Sequence, residues 1–384
     1  MTAPDGSAAP PPADSPSPGT PPVSRAPASV LRGSSKPVSP KPASLLPASA
    51  ARWRVLAVVT AAVVAGSALY GFNAFQDYRE RSAGPPQVAV DTVRPLPAEA
   101  HLLFRNTAAG AGYGHLATVP LADPAGPRRT EETVCDRIHA AGSVRTCLQT
   151  TAGVLTAFSD VLLDAEGNIL ASWPLAGIPS RTRVSPDGAL IASTAFVTGH
   201  SYAGTGFSTE TRITGVDGTE YGNIQDFTIL VDGAEVTAVD RNIWGVTFGA
   251  DGDTFYATAA SGSATWLVRG SLSARTLTAL RDGVECPSLS PDGGRLAFKK
   301  EVSGSAVPHW RVAVLELDTL TETVLAETRS VDDQVEWLDE NTVLYGLPRE
   351  GSPGDSDIWA LERTGGEPKL FIEHAWSPAV VRQS

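Results

Sequence analysis

Two stretches of this chain spell almost the same text. Arg183-Val-Ser-Pro-Asp-Gly-Ala-Leu-Ile-Ala-Ser193 matches Ser288-Leu-Ser-Pro-Asp-Gly-Gly-Arg-Leu-Ala-Phe298. Weaker copies are Gly245-Val-Thr-Phe-Gly-Ala-Asp-Gly-Asp-Thr-Phe-Tyr256 and Val335-Glu-Trp-Leu-Asp-Glu-Asn-Thr-Val-Leu-Tyr345. Each copy reads as a strand, a tight turn and a second strand. In the full copies the turn is Ser185, Pro186, Asp187, Gly188 and Ser290, Pro291, Asp292, Gly293. Proline presets φ, aspartate bonds nearby amides, and glycine accepts φ > 0. A repeat of this kind fixes one supersecondary unit, which must stack on its neighbours to bury its faces.

Each copy is followed by further strand-like runs. Third strands are predicted at 266–272, 311–317 and 358–362, and fourth strands at 277–280, 323–326 and 369–372. From residue 100 onward no long 3.6-period segment appears, so the class is all-β. Four strands per unit, at intervals of roughly 40–65 residues, predict the blades of a β-propeller.

The Ser-Pro-Asp-Gly turn followed by Leu/Ile-Ala resembles the repeat of TolB-type β-propellers over about residues 100–384. Asp240-Arg-Asn-Ile-Trp-Gly-Val-Thr-Phe248 and Glu285-Cys-Pro-Ser-Leu-Ser-Pro-Asp-Gly293 resemble segments of membrane-anchored TolB-like translocation proteins. The repeats count six blades, and the resemblance implies a translocation or envelope role. TolB places a small α/β domain before its propeller. Here only residues 77–99 lie between an apolar stretch and the blades, so binding through that domain is not carried over. His374-Ala-Trp-Ser-Pro378 starts a further inner strand without its partner, and His101-Leu-Leu-Phe-Arg-Asn-Thr107 reads as a second strand without its first. The two ends are expected to share one blade.

Val55 to Gln76 is uncharged for 22 residues. As a helix it is about 33 Å long, against a bilayer core of ~30 Å. We read 51–76 as a transmembrane signal-anchor and 77–99 as a stalk. A cleaved signal peptide would have an n-region of more than 50 residues, longer than usual. Six Lys or Arg precede the run against Asp5 and Asp14, giving +4 before it and −16 after it, out of a net −12. That bias places the N-terminus in the cytoplasm and the propeller outside, in a single-pass cell-membrane protein. Trp53, Tyr70 and Tyr78 suit the interfacial belts. Residues 1–50 hold 13 Pro, 10 Ser and 9 Ala and no aromatic residue, which predicts a disordered tail. It reads as a spacer, or as a docking or phosphorylation segment at Ser15, Ser17 and Ser39.

The acidic balance argues against nucleic acid as a partner. Cys135 and Cys147 flank a possible turn at Gly142-Ser143 and are expected to form a disulfide outside the membrane. Cys286 is either a buried core residue or a reactive thiol. The six histidines share no ligand-like spacing, so no metal or cofactor is expected. Asp164-Ala-Glu-Gly-Asn168 and Asp251-Gly-Asp253 read as turns rather than calcium loops. Asp332, Asp333 and Glu336 read as a solvated turn and a strand face. No Gly-x-Ser-x-Gly elbow precedes an Asp and a His in order. The Gly-rich stretch 196–211 carries Phe196, His200, Tyr202 and Phe207, and is either a binding loop or a packing loop. His200, Tyr202, Phe207, Arg241, Asn242 and Trp244 are the candidate binding residues, the last three facing the channel. Trp310, Trp337, Trp359 and Trp376 are expected in the core or between blades.

These observations favour a membrane-anchored, non-enzymatic scaffold outside the cytoplasm, binding an envelope protein, a peptide or a glycan. The alternative is an extracellular hydrolase or lyase acting on a polymer at the channel mouth. It would need two carboxylates within ~10 Å of each other in a pocket. A third reading is a sensor that signals through its tail.

Overall fold

The computed structural model describes residues 48–91, 99–197, 208–305 and 307–382. Ala48–Ala83 is a continuous helix of 36 residues. Its stretch Arg52–Asp77 is long and apolar enough to cross a membrane, so it is a candidate span or signal.

Among the described residues, the chain from His101 to Val381 forms six sheets, each built on four antiparallel strands. The first strands of the six sheets are Ala375–Val381, Arg137–Ala141, Ile178–Val184, Asn242–Phe248, Glu285–Leu289 and Glu336–Trp337. Each touches the next, and the ring closes. This is a six-bladed β-propeller with the first strands lining its axis. The sequence-predicted third and fourth strands fall within Ala264–Ser271, Trp310–Glu316, Ser356–Glu362, Thr276–Asp282, Glu322–Val324 and Lys369–Ile372, with end differences of a residue or two.

The two chain ends share a blade, as the half-repeats predict. Ala375–Val381 pairs antiparallel with His101–Asn106, joining His101 to Val381 and Leu103 to Ala379. The C-terminal strand is therefore the inner strand of the first blade.

The repeat turn works as its chemistry dictates. The Ser185 hydroxyl donates to Asp187 Oδ1 and accepts from the amides of Ala189 (3.1 Å) and Leu190 (2.8 Å). Ser290 does the same with Asp292 and the Arg295 amide, at 2.6 and 3.0 Å. Gly188 and Gly293 both adopt φ 73°, a conformation costly for residues with a Cβ. Hydrogen bonds from the Ser290 hydroxyl and the Gly294 amide hold Asp292 down at about 2.

Blades adhere through apolar clusters. Leu102 and Phe104 meet Leu344, Ile358 and Ile372 between the first and sixth blades. Ile213 and Ile243 join the third and fourth, and Leu267 with Phe298 the fourth and fifth. Cys135 and Cys147 form a disulfide that ties the end of the first blade to the second. Two features were not legible beforehand. A short hairpin, Thr228–Val231 with Ala234–Glu235, extends the fourth blade by pairing parallel to Thr276–Asp282. Residues preceding the first blade also lie on it: Gln87 bonds Ala109, and Ala89 and Asp91 bond Arg128.

Candidate functional site

Read in order, the inner strands give the levels of the channel. Their first residues, Arg137, Arg181, Asn242, Trp244, Glu285 and Cys286, open on one mouth with a cavity of about 910 Å³. Their last residues, with the repeat turns at Pro186 and 290–293, open on the other, of about 430 Å³. Between them the space shrinks to about 20 Å³ around His139, Thr182, Asp333 and Ser377, room for a water at most.

That waist is held by buried ion pairs. Arg137 Nη1 donates to Asp333 Oδ1 at 2.9 Å. Arg183 pairs with Glu336 and also reaches Ser288 Oγ (2.9 Å) and the Val335 carbonyl (2.6 Å). Gln334 Nε2 reaches the carbonyls of Val246 and Pro287 at 3.1 and 3.0 Å. The Val184 amide donates to His139 Nδ1 at 3.0 Å, so the proton of the neutral ring sits on Nε2, 3.4 Å from Glu336 Oε2. Burial and then Arg183 push His139 down, which keeps it neutral near pH 7. Burial would raise Glu336, but Arg183 and His139 hold it at about 2. Asp333 and Glu336 are thus buried ion-pair partners, correcting the expectation of a solvated turn and strand face. Only Asp332 keeps an exposed side chain.

The wide mouth combines charge with aromatic walls. Lys299 Nζ lies 2.5 Å from Asp332 Oδ1 and 3.8 Å from Glu285 Oε2, and 4.2 Å from the ring centre of Trp310. Arg137 stacks on Trp376 at 4.8 Å. Arg181 donates to the main-chain oxygens of Ser180 (2.9 Å) and Asp332 (3.3 Å). Burial is the first cause lowering Arg137, to about 10, and the neighbouring Arg181 charge is the second. Trp244, Trp310, Phe196 and Pro308 supply the apolar wall.

Of the predicted site residues, Asn242 and Trp244 line this cavity. Asn242 Oδ1 accepts from the Thr209 amide at 2.9 Å. Arg241 turns away, toward the Val236 carbonyl at 3.4 Å. His200, Tyr202 and Phe207 lie outside the described residues. The strands flanking that segment pair Val197 with Ser208, and Phe196 reaches the cavity. Trp337 is core, with its indole N–H on the Ser288 carbonyl at 2.8 Å. Trp310 is a cavity wall, where packing was expected. Cys286 is buried and also borders the cavity, at φ 48°. Gly245 makes room for it, since a Cβ there would come 2.6 Å from the Cys286 Cα. Asp164 and Asp251 spend their carboxylates on the amides of their own turns. Arg181, Glu285 and Lys299 were missed. One signal could have found the first: Arg181 and Cys286 each stand four places before a Ser-Pro-Asp-Gly turn.

No protein-family model matches this sequence, and no curated protein is similar to it. Solved structures are similar in fold. TolB from Acinetobacter baumannii is 18% identical, with a TM-score of 0.51 over 74% of this chain and 68% of that one. The fold is a TolB-like propeller. A TolB structure from Agrobacterium tumefaciens is 13% identical at a TM-score of 0.45, over 72% of this chain and 90% of its own. An oligogalacturonate lyase from Vibrio parahaemolyticus is 10% identical at 0.40, over 65% and 72%. The TolB-like propeller accounts for the architecture, and function has to be argued from the site.

Proposed function

We propose that this protein is a membrane-anchored, non-enzymatic binding scaffold whose propeller receives a segment of a partner protein at its wide mouth. In this reading 1–50 is a cytoplasmic tail, 51–76 the anchor, 77–99 a link and 100–384 the extracytoplasmic binding domain. The reading rests on the cavity of about 910 Å³ with Trp244, Trp310 and Phe196 on its wall. Rigid aromatic surface around a concave opening is what interface anchors use. The test is crosslinking in cells with the full chain, with residues 1–99 alone, and with Trp310→Ala. A partner recovered by the full chain, lost with 1–99 and depleted by Trp310→Ala supports the reading. Identical recoveries from all three would overturn it.

A second reading has one observation behind it. Glu285 and Asp332 flank the same ammonium in this cavity, and burial pushes the Glu285 carboxyl up. Two carboxylates about 5–10 Å apart, one of them readily protonated, form the basic apparatus of glycoside hydrolysis. Release of reducing ends from a polysaccharide by the full chain, abolished by Glu285→Gln, would establish this reading in place of the first.

A further inference from the structure

We infer that the wide-mouth face of the propeller lies on the lipid surface of the membrane that holds the anchor, with separate aliphatic loop tips dipping among the headgroups. This rests on the anchor in the reading above and adds the surface on which the propeller sits. A partner segment entering the wide mouth then does so at the bilayer surface.

The first observation is where the chain enters the ring. Antiparallel strands alternate in direction, and the inner strands begin at the wide mouth. In each blade the turn from second to third strand therefore opens on that face, as does the link into the inner strand. The segment that follows the apolar stretch Arg52–Asp77 lies against two of these turns. In the first blade, between His101–Asn106 and His115–Pro120, the Ala111 amide donates to the Gly84 carbonyl at 2.8 Å, and the Ala109 carbonyl accepts from the Gln87 amide at 3.2 Å. Asp77 and Gln87 also share a cavity of about 480 Å³ with Tyr113 of that turn and Pro353 of the matching turn in the sixth blade. The helix runs on from Asp77 to Ala83, a rise of about 9 Å at the helical spacing. The headgroup layer is about 5–8 Å deep on each side of the hydrocarbon. The anchor thus holds this edge of the face close to the headgroups.

The second observation is that the two faces differ. Val154 and Leu155 stand in solvent in the wide-mouth turn of the second blade, between Val144–Thr151 and Ala157–Leu163, with Leu155 86% exposed. Val302 and Val307 do so in the matching turn of the fifth blade, between Arg295–Glu301 and Trp310–Glu316, with Val307 78% exposed. Val239, 89% exposed, lies on the link into the inner strand of the fourth blade. Within the narrow-mouth turns, among the described residues, the large exposed aliphatic is Leu320, at 39%. Those turns are instead built from Ser-Pro-Asp-Gly twice, Asp164-Ala-Glu-Gly-Asn168 and Asp339-Glu-Asn341. Ile169 and Leu170, also exposed, belong to an outer strand. The anchor enters at the first and sixth blades, and the aliphatic tips stand at the second, fourth and fifth. Contacts spread round one face of a disc suit a fluid bilayer, whose interface takes each apolar tip singly and binds in proportion to the area buried. The polar, acidic turns of the other face suit water.

The test is fluorescence quenching in phosphatidylcholine vesicles that carry a spin label at headgroup depth. The full-length chain is reconstituted with one added cysteine, Leu155→Cys, Val307→Cys or Asp318→Cys, labelled with bimane without reductant. Asp318 is exposed in a narrow-mouth turn, and the unsubstituted chain gives the background from Cys286. We expect quenching at positions 155 and 307 at least twofold above that at 318, with bluer emission. Retention of the chain in the vesicles after alkaline carbonate is measured on the same samples. A retained chain in which either rim position responds no more than position 318 would overturn the lipid seat and leave the anchor standing. Release of the chain by carbonate would overturn both.

Discussion

Asp160 shows how a single side chain can set the pH response of the disc. It is buried between the second and third blades. Thr146 Oγ1 donates to it at 2.6 Å, and Ser193 Oγ donates to its other oxygen. No cation pairs with it among the described residues, and burial pushes its pKa up. A carboxyl raised in the native state stabilises fully below its unfolded pKa, and that contribution is lost as pH rises through the native value. Near neutrality the site therefore holds either a costly charge or a costly proton. Asp160→Asn keeps an acceptor for Thr146 and offers Ser193 a donor. We expect it to gain on the order of 1 kcal/mol at pH 7, with the gain vanishing below about pH 4. Urea unfolding at both pH values checks this. A variant equally destabilised at both would refute the charge cost and show that the two hydroxyls need both aspartate oxygens.

At the level of the element, the closing strand carries most consequence. Ala375–Val381 covers one edge of His101–Asn106, whose Leu102, Leu103 and Phe104 are fully buried. Ser377 Oγ bridges the amide and carbonyl of Ile138, each at 3.1 Å, so this strand also links to the second blade. Removing it would leave a hydrophobic strand edge open and the ring incomplete. Truncation after Glu373 is expected to abolish cooperative thermal unfolding, whereas removal of residues 383–384 alone should not change it. Circular dichroism on detergent-solubilised chains distinguishes these. A native-like transition after the longer truncation would refute closure by this strand. The Cys135–Cys147 disulfide supports the neighbouring junction. Closing a loop of this size is worth about 3 kcal/mol in the chain-entropy picture.

For the whole molecule, the charge bias across the apolar helix predicts the sidedness of both parts. With six Lys or Arg and two Asp before the uncharged run Val55–Gln76, the tail should stay inside and the propeller outside. In cells whose outer barrier is opened, a membrane-impermeant amine reagent should label the exposed Lys369 and spare Lys36 and Lys41. The reverse pattern would invert the topology. The disulfide agrees with the expected side, because such bonds persist in oxidising compartments.

Much of the architecture was legible because its causes are local. The Ser-Pro-Asp-Gly turns impose their geometry within five residues, through Ser185 and Asp187 alone. Strand periodicity, the apolar run and the half-repeats at the two ends needed no contact map, and together they specified the blade, its number and its closure. The site was legible only in part. Asn242 and Trp244 could be placed near the axis because they begin an inner strand. Which carboxylates Arg137 and Arg183 meet could not be read, because six inner strands far apart in sequence make the channel together. Arg183 meets Glu336 across 153 positions, and Arg137 meets Asp333 across 196. By itself, then, the sequence determined the repeat, the ring and the candidate anchor, all set by neighbouring residues. Tertiary structure alone decided which charges pair in the waist, because those pairings exist only once the ring has closed.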